Sequence, residues 1–232
     1  EPINKQDGET KNDHELCAAK RLWPDLWKRY PDYKFLHGGD ALFANSPQIR
    51  SLEGAGQKYI LSVKPESHQS LFEHFNHPAN KYAYESLSWE LNGEFIGVRW
   101  CNNLPLNNSS QDVRTNFLIA FVTDKKGKTT TFSWVTNIKI TAKNVKELTK
   151  CGRARWKIEN ETFNTLKNQG YKFEHNYGHG EKHLSNLLAV LMLLVFLIDQ
   201  IQQVASINFK KALALTKSKI RLWEEFRAVF RF

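Results

Sequence analysis

Four runs of alternating apolar and polar residues, YAYESLSWEL, EFIGVRWC, TNFLIAFVT and TTTFSWVTNIKI, fill the stretch from Tyr82 to Ile140. Helix-patterned sequence flanks them on both sides. Strand side chains point alternately to two faces, so this period-two pattern predicts half-buried strands. Asn92-Gly93 and the Asp124–Gly127 segment supply tight turns between antiparallel neighbours. Any fold for this chain must therefore hold an antiparallel β segment of about four strands between two helix-bearing parts.

Upstream of that segment, the spacing of Leu16, Ala19, Leu22 and Trp23 predicts an amphipathic helix over 13–30 with a bend at Pro24. A short strand over Tyr33–Leu36 follows and ends in His37-Gly38-Gly39-Asp40. Ser46-Pro47 places a cap before a proline suited to the first helical position, and Gly54 stops that helix. Lys58–Val63 reads as a buried strand, and Ser67 caps a helix that runs to about Phe75. Strand, helix, strand and helix on short links indicate an α/β layer with parallel strands. Beyond Thr141 the pattern is helical, over 142–150, 153–169, 182–204 and 207–230. The expected parts are 1–81, the β segment 82–141 and the helical part 142–232. Two independent domains are the alternative the pattern leaves open.

At 232 residues, 41% hydrophobic and 12% aromatic, the chain can bury a core and is not a disordered segment. Its net charge of +9 suits a polyanionic partner such as nucleic acid. The charge is concentrated: Lys143–Lys182 holds nine Lys/Arg against five Asp/Glu, and Asn208–Phe232 holds seven against two. Cys17, Cys101 and Cys151 are widely spaced and form no CxxC pair, so neither a zinc ribbon nor a disulfide scaffold is suggested, and a reducing cytoplasm is the natural setting. The longest apolar run, Leu187–Ile198, spans twelve residues. A bilayer needs about 20, so the run is expected as a buried core helix behind the helix of Glu159, not as a membrane anchor. No signal peptide is read, and the polar opening without Met suggests that an upstream part is missing.

Two positions stand out as chemistry. Asp40 follows a hydrophobic strand after two glycines, where open α/β sheets gather functional groups and where glycine lets an anionic substrate approach the backbone. A plain turn aspartate is the competing reading. Arg155 and Glu159 stand four apart in a helix-forming run, which brings them to one face. That geometry can set a metal-binding carboxylate beside a phosphate-binding guanidinium, although a surface ion pair has the same spacing. Glu161 lies about 200° around such a helix from Glu159 and Lys167 about 80°, so only one of the two glutamates can face a given metal pair. His175, His179 and His183 share an i, i+4, i+8 spacing, but Gly178 and Gly180 interrupt any helix there and argue against a zinc face.

The string Cys151–Gly180, CGRARWKIENETFNTLKNQGYKFEHNYGHG, resembles the glutamate-bearing helix of DDE transposases of the IS4-like group. HGGDALFANSPQIR resembles the segment carrying their second catalytic aspartate, and QKYILSVKPESHQSLFEHF and TNIKITAKNVKELTKCGRARW are similar to the same group. The resemblance covers essentially the whole chain and is most specific over 37–76 and 141–180. It implies an RNase H-like core interrupted by the β segment and followed by a helical C-terminal part. It also implies metal-dependent cleavage and strand transfer at transposon ends. Asp40 and Glu159 would be catalytic metal ligands for two Mg²⁺ or Mn²⁺ ions, with Arg155, Lys167, Arg153 and Trp134 contacting DNA. Transposon and target DNA would be the partners of a cytoplasmic, nucleoid-associated homodimer with no membrane association. Such enzymes carry a Tyr–Arg–Glu–Lys signature in which Arg155 and Glu159 match, whereas the tyrosine place is Gly152 and the lysine place is Leu166, next to Lys167. None of Asp7, Asp13, Asp25 and Asp32 suits the first aspartate. The expectation is a C-terminal portion whose first core strands lie elsewhere, inactive by itself; a non-catalytic DNA-binding remnant is the alternative.

Overall fold

The structure is a computed structural model that describes residues 15–77, 84–175, 178 and 183–230. It divides into two compact units, Glu1–Arg155 and Trp156–Phe232.

The first unit is built on one six-stranded sheet. Its elements run α1 (Glu15–Arg29), β1 (Leu36–Gly39), α2 (Ser46–Gly54), β2 (Lys58–Ser62), α3 (Gln69–Asn76), β3 (Glu85–Leu91), β4 (Glu94–Pro105), β5 (Arg114–Thr123), β6 (Thr129–Thr136) and α4 (Val145–Lys157). The strand order is β1-β2-β6-β5-β4-β3. β1 and β2 are parallel, and every other neighbouring pair is antiparallel. The four alternating runs are thus strands, but they extend the α/β sheet sideways instead of forming a layer of their own. The seam is β2 against β6, where Ile60, Leu61 and Ser62 face Thr136, Val135 and Trp134. Side chains reinforce it: Thr136 Oγ1 donates to the Tyr59 carbonyl at 2.6 Å and Asn137 Nδ2 to the Gln57 carbonyl at 2.8 Å.

Each face of this sheet buries its own apolar cluster. On one side Tyr59, Leu61, Phe117 and Val135 pack with Ile49 and Leu52 of α2 and Leu71 and Phe75 of α3. On the other, Ile60, Val98, Trp100, Leu118 and Trp134 pack with Val145 and Leu148 of α4. Alternation along β2 explains the division, since Leu61 serves one cluster and Ile60 the other.

Several boundaries differ from expectation for local reasons. β1 begins at Leu36, so it includes the His-Gly-Gly residues and leaves Asp40 directly at its carboxyl end. Asn45, not Ser46, caps α2, its Oδ1 accepting from the Gln48 N–H at 3.0 Å. Ser67 does not cap α3: its hydroxyl contacts His68 Nδ1 at 2.8 Å, and His68 is the cap residue. The helices expected over 142–150 and 153–169 are replaced by one run without a gap: α4, a π-helical turn at Ile158–Phe163, and α5 (Asn164–Asn168).

The second unit holds the π-turn, α5, α6 (Leu184–Ala205), α7 (Ile207–Thr216) and α8 (Lys219–Val229). The helix expected over 207–230 is divided by Lys217, whose φ of 63° ends α7. Tyr171 and Asp199 form a buried hydrogen bond, with the Tyr171 ring set edge-on against Phe196 and Trp223. Burial raises the Tyr171 pKa, and the Asp199 carboxylate adds to the rise. The expected burial of Leu187–Ile198 does not hold: of the 22 residues of α6, only Asp199 is buried. α6 is apolar around its whole circumference, more than its neighbours can cover. By length and hydropathy it is the one described helix that meets the requirements of a membrane span, a test that core helices also pass.

Candidate active site

Asp40 is half-buried, and its Oδ1 accepts the Leu42 N–H at 2.9 Å, a local turn that fixes the carboxylate at the end of β1. Gly39 is required there. A Cβ at this position would lie 2.9 Å from Leu61 Cδ2 and 3.0 Å from Phe43 Cβ, so a larger residue would push β1 away from the chain that turns back beneath it. Just before it, His37 is buried among Trp23, Trp27 and Phe35, and its Nε2 accepts from Trp27 Nε1 at 3.1 Å. Burial lowers the His37 pKa, partly offset by a hydrogen bond with Gln57.

The register relates Asp40 to the rest of the first unit. Gly38 pairs with Ile60 and Gly39 with Leu61, so Asp40 continues beside Ser62, which pairs with Trp134 on β6. Asp40 and Trp134 are therefore level, two strands or about 10 Å apart. The alternation that puts Ile60 in the α4 cluster puts Trp134 of β6 on the same face.

α4 crosses this face on a tight contact. A Cβ on Gly152 would lie 2.5 Å from Trp134 Cε2 and 2.8 Å from Cδ2 and Nε1. The glycine at the tyrosine place of the resemblance thus has a physical cause, because the Trp134 indole fills the space. Trp134, for which a packed core role competes with the DNA contact the resemblance implies, is 2% exposed and lies parallel to Phe132, with ring centroids 5.8 Å apart. In this structure it is a core residue. Arg153 holds Glu94 at the start of β4 through a forked pair at 2.9 and 3.3 Å and lies over the Phe132 ring. Lys146 sits 5.5 Å from the centre of the Trp89 ring. These contacts anchor α4 to the sheet, and Arg155, half-buried, follows one turn beyond Gly152.

Glu159 and Lys167 belong to the second unit. Glu159 is exposed within the π-turn, and its carbonyl accepts the Asn164 N–H, five residues on. Lys167 pairs with Glu174 at 2.6 Å on the surface. Leu166, the residue at the lysine place, is fully buried. No alternation or periodicity could have revealed the π-turn, because it is a hydrogen-bonding pattern and not a composition.

Hard oxygen donors such as Asp40 and Glu159 suit Mg²⁺ or Mn²⁺. The donor chemistry fits two ligands of such an ion, but among the described residues no three His, Cys, Asp or Glu side chains converge. Asp25 is paired with Arg29 at 3.5 Å on α1, and Asp7 and Asp13 lie outside the described residues. His175 is exposed, His183 begins α6 with a φ of 51°, and His179 lies outside the described residues. The three cysteines form no disulfide.

The chain matches the transposase DDE domain over residues 6–197, most of its length, and it belongs to that family. No curated protein matches it. Membership makes DNA the partner and transposition the process, and enzymes of this family generally use divalent metal ions.

Proposed function

We propose that this chain is the Asp- and Glu-bearing portion of an IS4-like DDE transposase with an RNase H-like core, cutting and rejoining DNA at transposon ends. The observation that supports the reading is Asp40, directly after the carboxyl end of β1 with one carboxylate oxygen held by the Leu42 N–H. Asp40 and Glu159 would hold the Mg²⁺ or Mn²⁺ ions. Bound ions of this kind supply Lewis-acid stabilisation of charge at phosphorus and an activated hydroxyl.

The chain's own residues have separable tasks in this reading. The Leu42 N–H bond holds one oxygen of Asp40 and orients the other. Arg155 meets a phosphate oxygen, and its planar fork fixes the strand's direction. Arg153 and Trp134 serve DNA indirectly, by anchoring α4 to the sheet through Glu94 and Gly152. A first carboxylate from sequence outside this chain would complete the set, with a second protomer in the DNA complex and no membrane involved.

The second reading is a non-catalytic DNA-binding remnant, favoured by the lack of three converging ligands among the described residues. Incubating the chain with duplex transposon ends and Mg²⁺ or Mn²⁺ is expected to give binding without cleavage. The full-length product of the same reading frame is expected to cleave. Failure of that product to cut under any metal would favour the remnant.

A further inference from the structure

The segment from Asp40 to Asn45 carries the chain from the end of β1 to the start of α2. Leu42 lies in the middle of this loop, and its side chain is 50% exposed, so apolar packing does not fix its backbone. Polar bonds hold it at both ends. The Leu42 N–H donates to Asp40 Oδ1 at 2.9 Å, and the Leu42 carbonyl accepts from Asn45 Nδ2 at 2.7 Å. Asn45 is itself anchored, because its Oδ1 accepts the Gln48 N–H at 3.0 Å as the cap of α2. One amide side chain thus has its acceptor end on the helix and its donor end on the loop.

Other bonds order the rest of the loop. The Phe43 N–H donates to the Asp40 carbonyl at 3.2 Å, and the Asn45 N–H to the Phe43 carbonyl at 2.9 Å. His68, buried, meets the Ala44 carbonyl through Nε2 at 2.8 Å, and since a carbonyl only accepts, Nε2 carries the proton. These contacts fix the backbone on either side of Leu42, and Leu42 transmits that order to the carboxylate.

Taking Asp40 as a metal ligand, as proposed above, we infer that Asn45 is a positioning residue for it: by gripping the Leu42 carbonyl, Asn45 keeps the Leu42 N–H on Oδ1 and leaves Oδ2 for the metal ion. Cap and grip can be separated by substitution. Serine and aspartate cap helices about as well as asparagine, but neither carries an amide donor. Asn45→Ser and Asn45→Asp therefore keep α2 capped and release Leu42, the first without a change of charge, whereas Asn45→Ala loses both bonds.

The test joins folding, local structure and reaction. Melting temperatures of Asn45→Ser and Asn45→Asp are expected near the parent, with Asn45→Ala lower by about 2–4 °C. By NMR, the Leu42 amide proton, held downfield by the carboxylate, is expected to move towards its position in Asp40→Ala in both capped variants, while the Gln48 amide keeps its protection from exchange. In the full-length product, both variants are expected to cut transposon ends about 10–100-fold more slowly and to need more Mg²⁺ for half-maximal cleavage. A Leu42 resonance that stays in place, an unchanged rate or Mg²⁺ requirement of cleavage, or melting as low as Asn45→Ala overturns the inference. If the full-length parent does not cut, the proposed function fails instead, and the Leu42 resonance alone decides whether Asn45 holds the carboxylate.

Discussion

Gly152 and Trp134 show how one residue sets the limits of its neighbour. The indole occupies the space of a Cβ, so Gly152→Ala must move either α4 or the ring. Overpacking of this kind costs about 1–3 kcal/mol, and urea unfolding is expected to show a loss in that range. Trp134→Leu in the same background is expected to recover part of the loss, a coupling that a double-mutant cycle measures directly. Independent, additive losses would remove the steric account. His37 makes a second residue-scale case. Its pKa is lowered in the folded chain, so the neutral ring is the one the fold favours. The stability it contributes is present above the unfolded value of about 6.5 and is lost as pH falls through the lower, folded value. The melting temperature is expected to drop on acidification from pH 7 to 5, and His37→Phe is expected to flatten that drop. A drop unchanged in the variant would assign the acid sensitivity to other groups.

Among the elements, the junction of β4 with the link from β6 to α4 combines apolar packing with a side-chain clasp from Asn102. Asn102 Oδ1 accepts the Ile140 N–H at 2.8 Å, and Asn102 Nδ2 donates to the Ile140 carbonyl at 2.9 Å. Asn102→Ala leaves both backbone groups without these partners beside a buried core. A loss of about 2 kcal/mol is expected in chemical denaturation. A change below a few tenths would show that the link is held elsewhere. The strands of this part were legible in the sequence because alternation is a property of residues. Their joining to β2 was not, since the seam depends on Thr136 and Asn137 reaching the backbone of the Gln57–Tyr59 segment, nearly 80 residues away. The end of β1 was misplaced for a related reason: glycines read as a turn, yet Gly39 serves close packing against Leu61 and Phe43. The π-turn had no signature, because it is a pattern of hydrogen bonds and not of residue types.

At the scale of the molecule, one sheet supports two roles. Its antiparallel half supplies most of the strands that α4 rests on, and its parallel half carries Asp40 to an open end. The place of Asp40 after its strand and glycines was legible because it is local. Residue patterns say less where packing decides, as for Trp134 in the core and Arg153 on Glu94. The apolar run of α6 was legible as a helix, but its surroundings were not, because composition does not say what covers an all-round apolar surface. The central claim is that Asp40 and Glu159 serve one metal-dependent reaction on DNA. The direct measurement is strand cleavage at transposon ends by the full-length product in Mg²⁺ or Mn²⁺, comparing the parent with Asp40→Ala and Glu159→Ala, alongside end-DNA binding by the same proteins. Loss of cleavage in both variants with binding retained is the predicted result; cleavage retained in either variant would contradict the account.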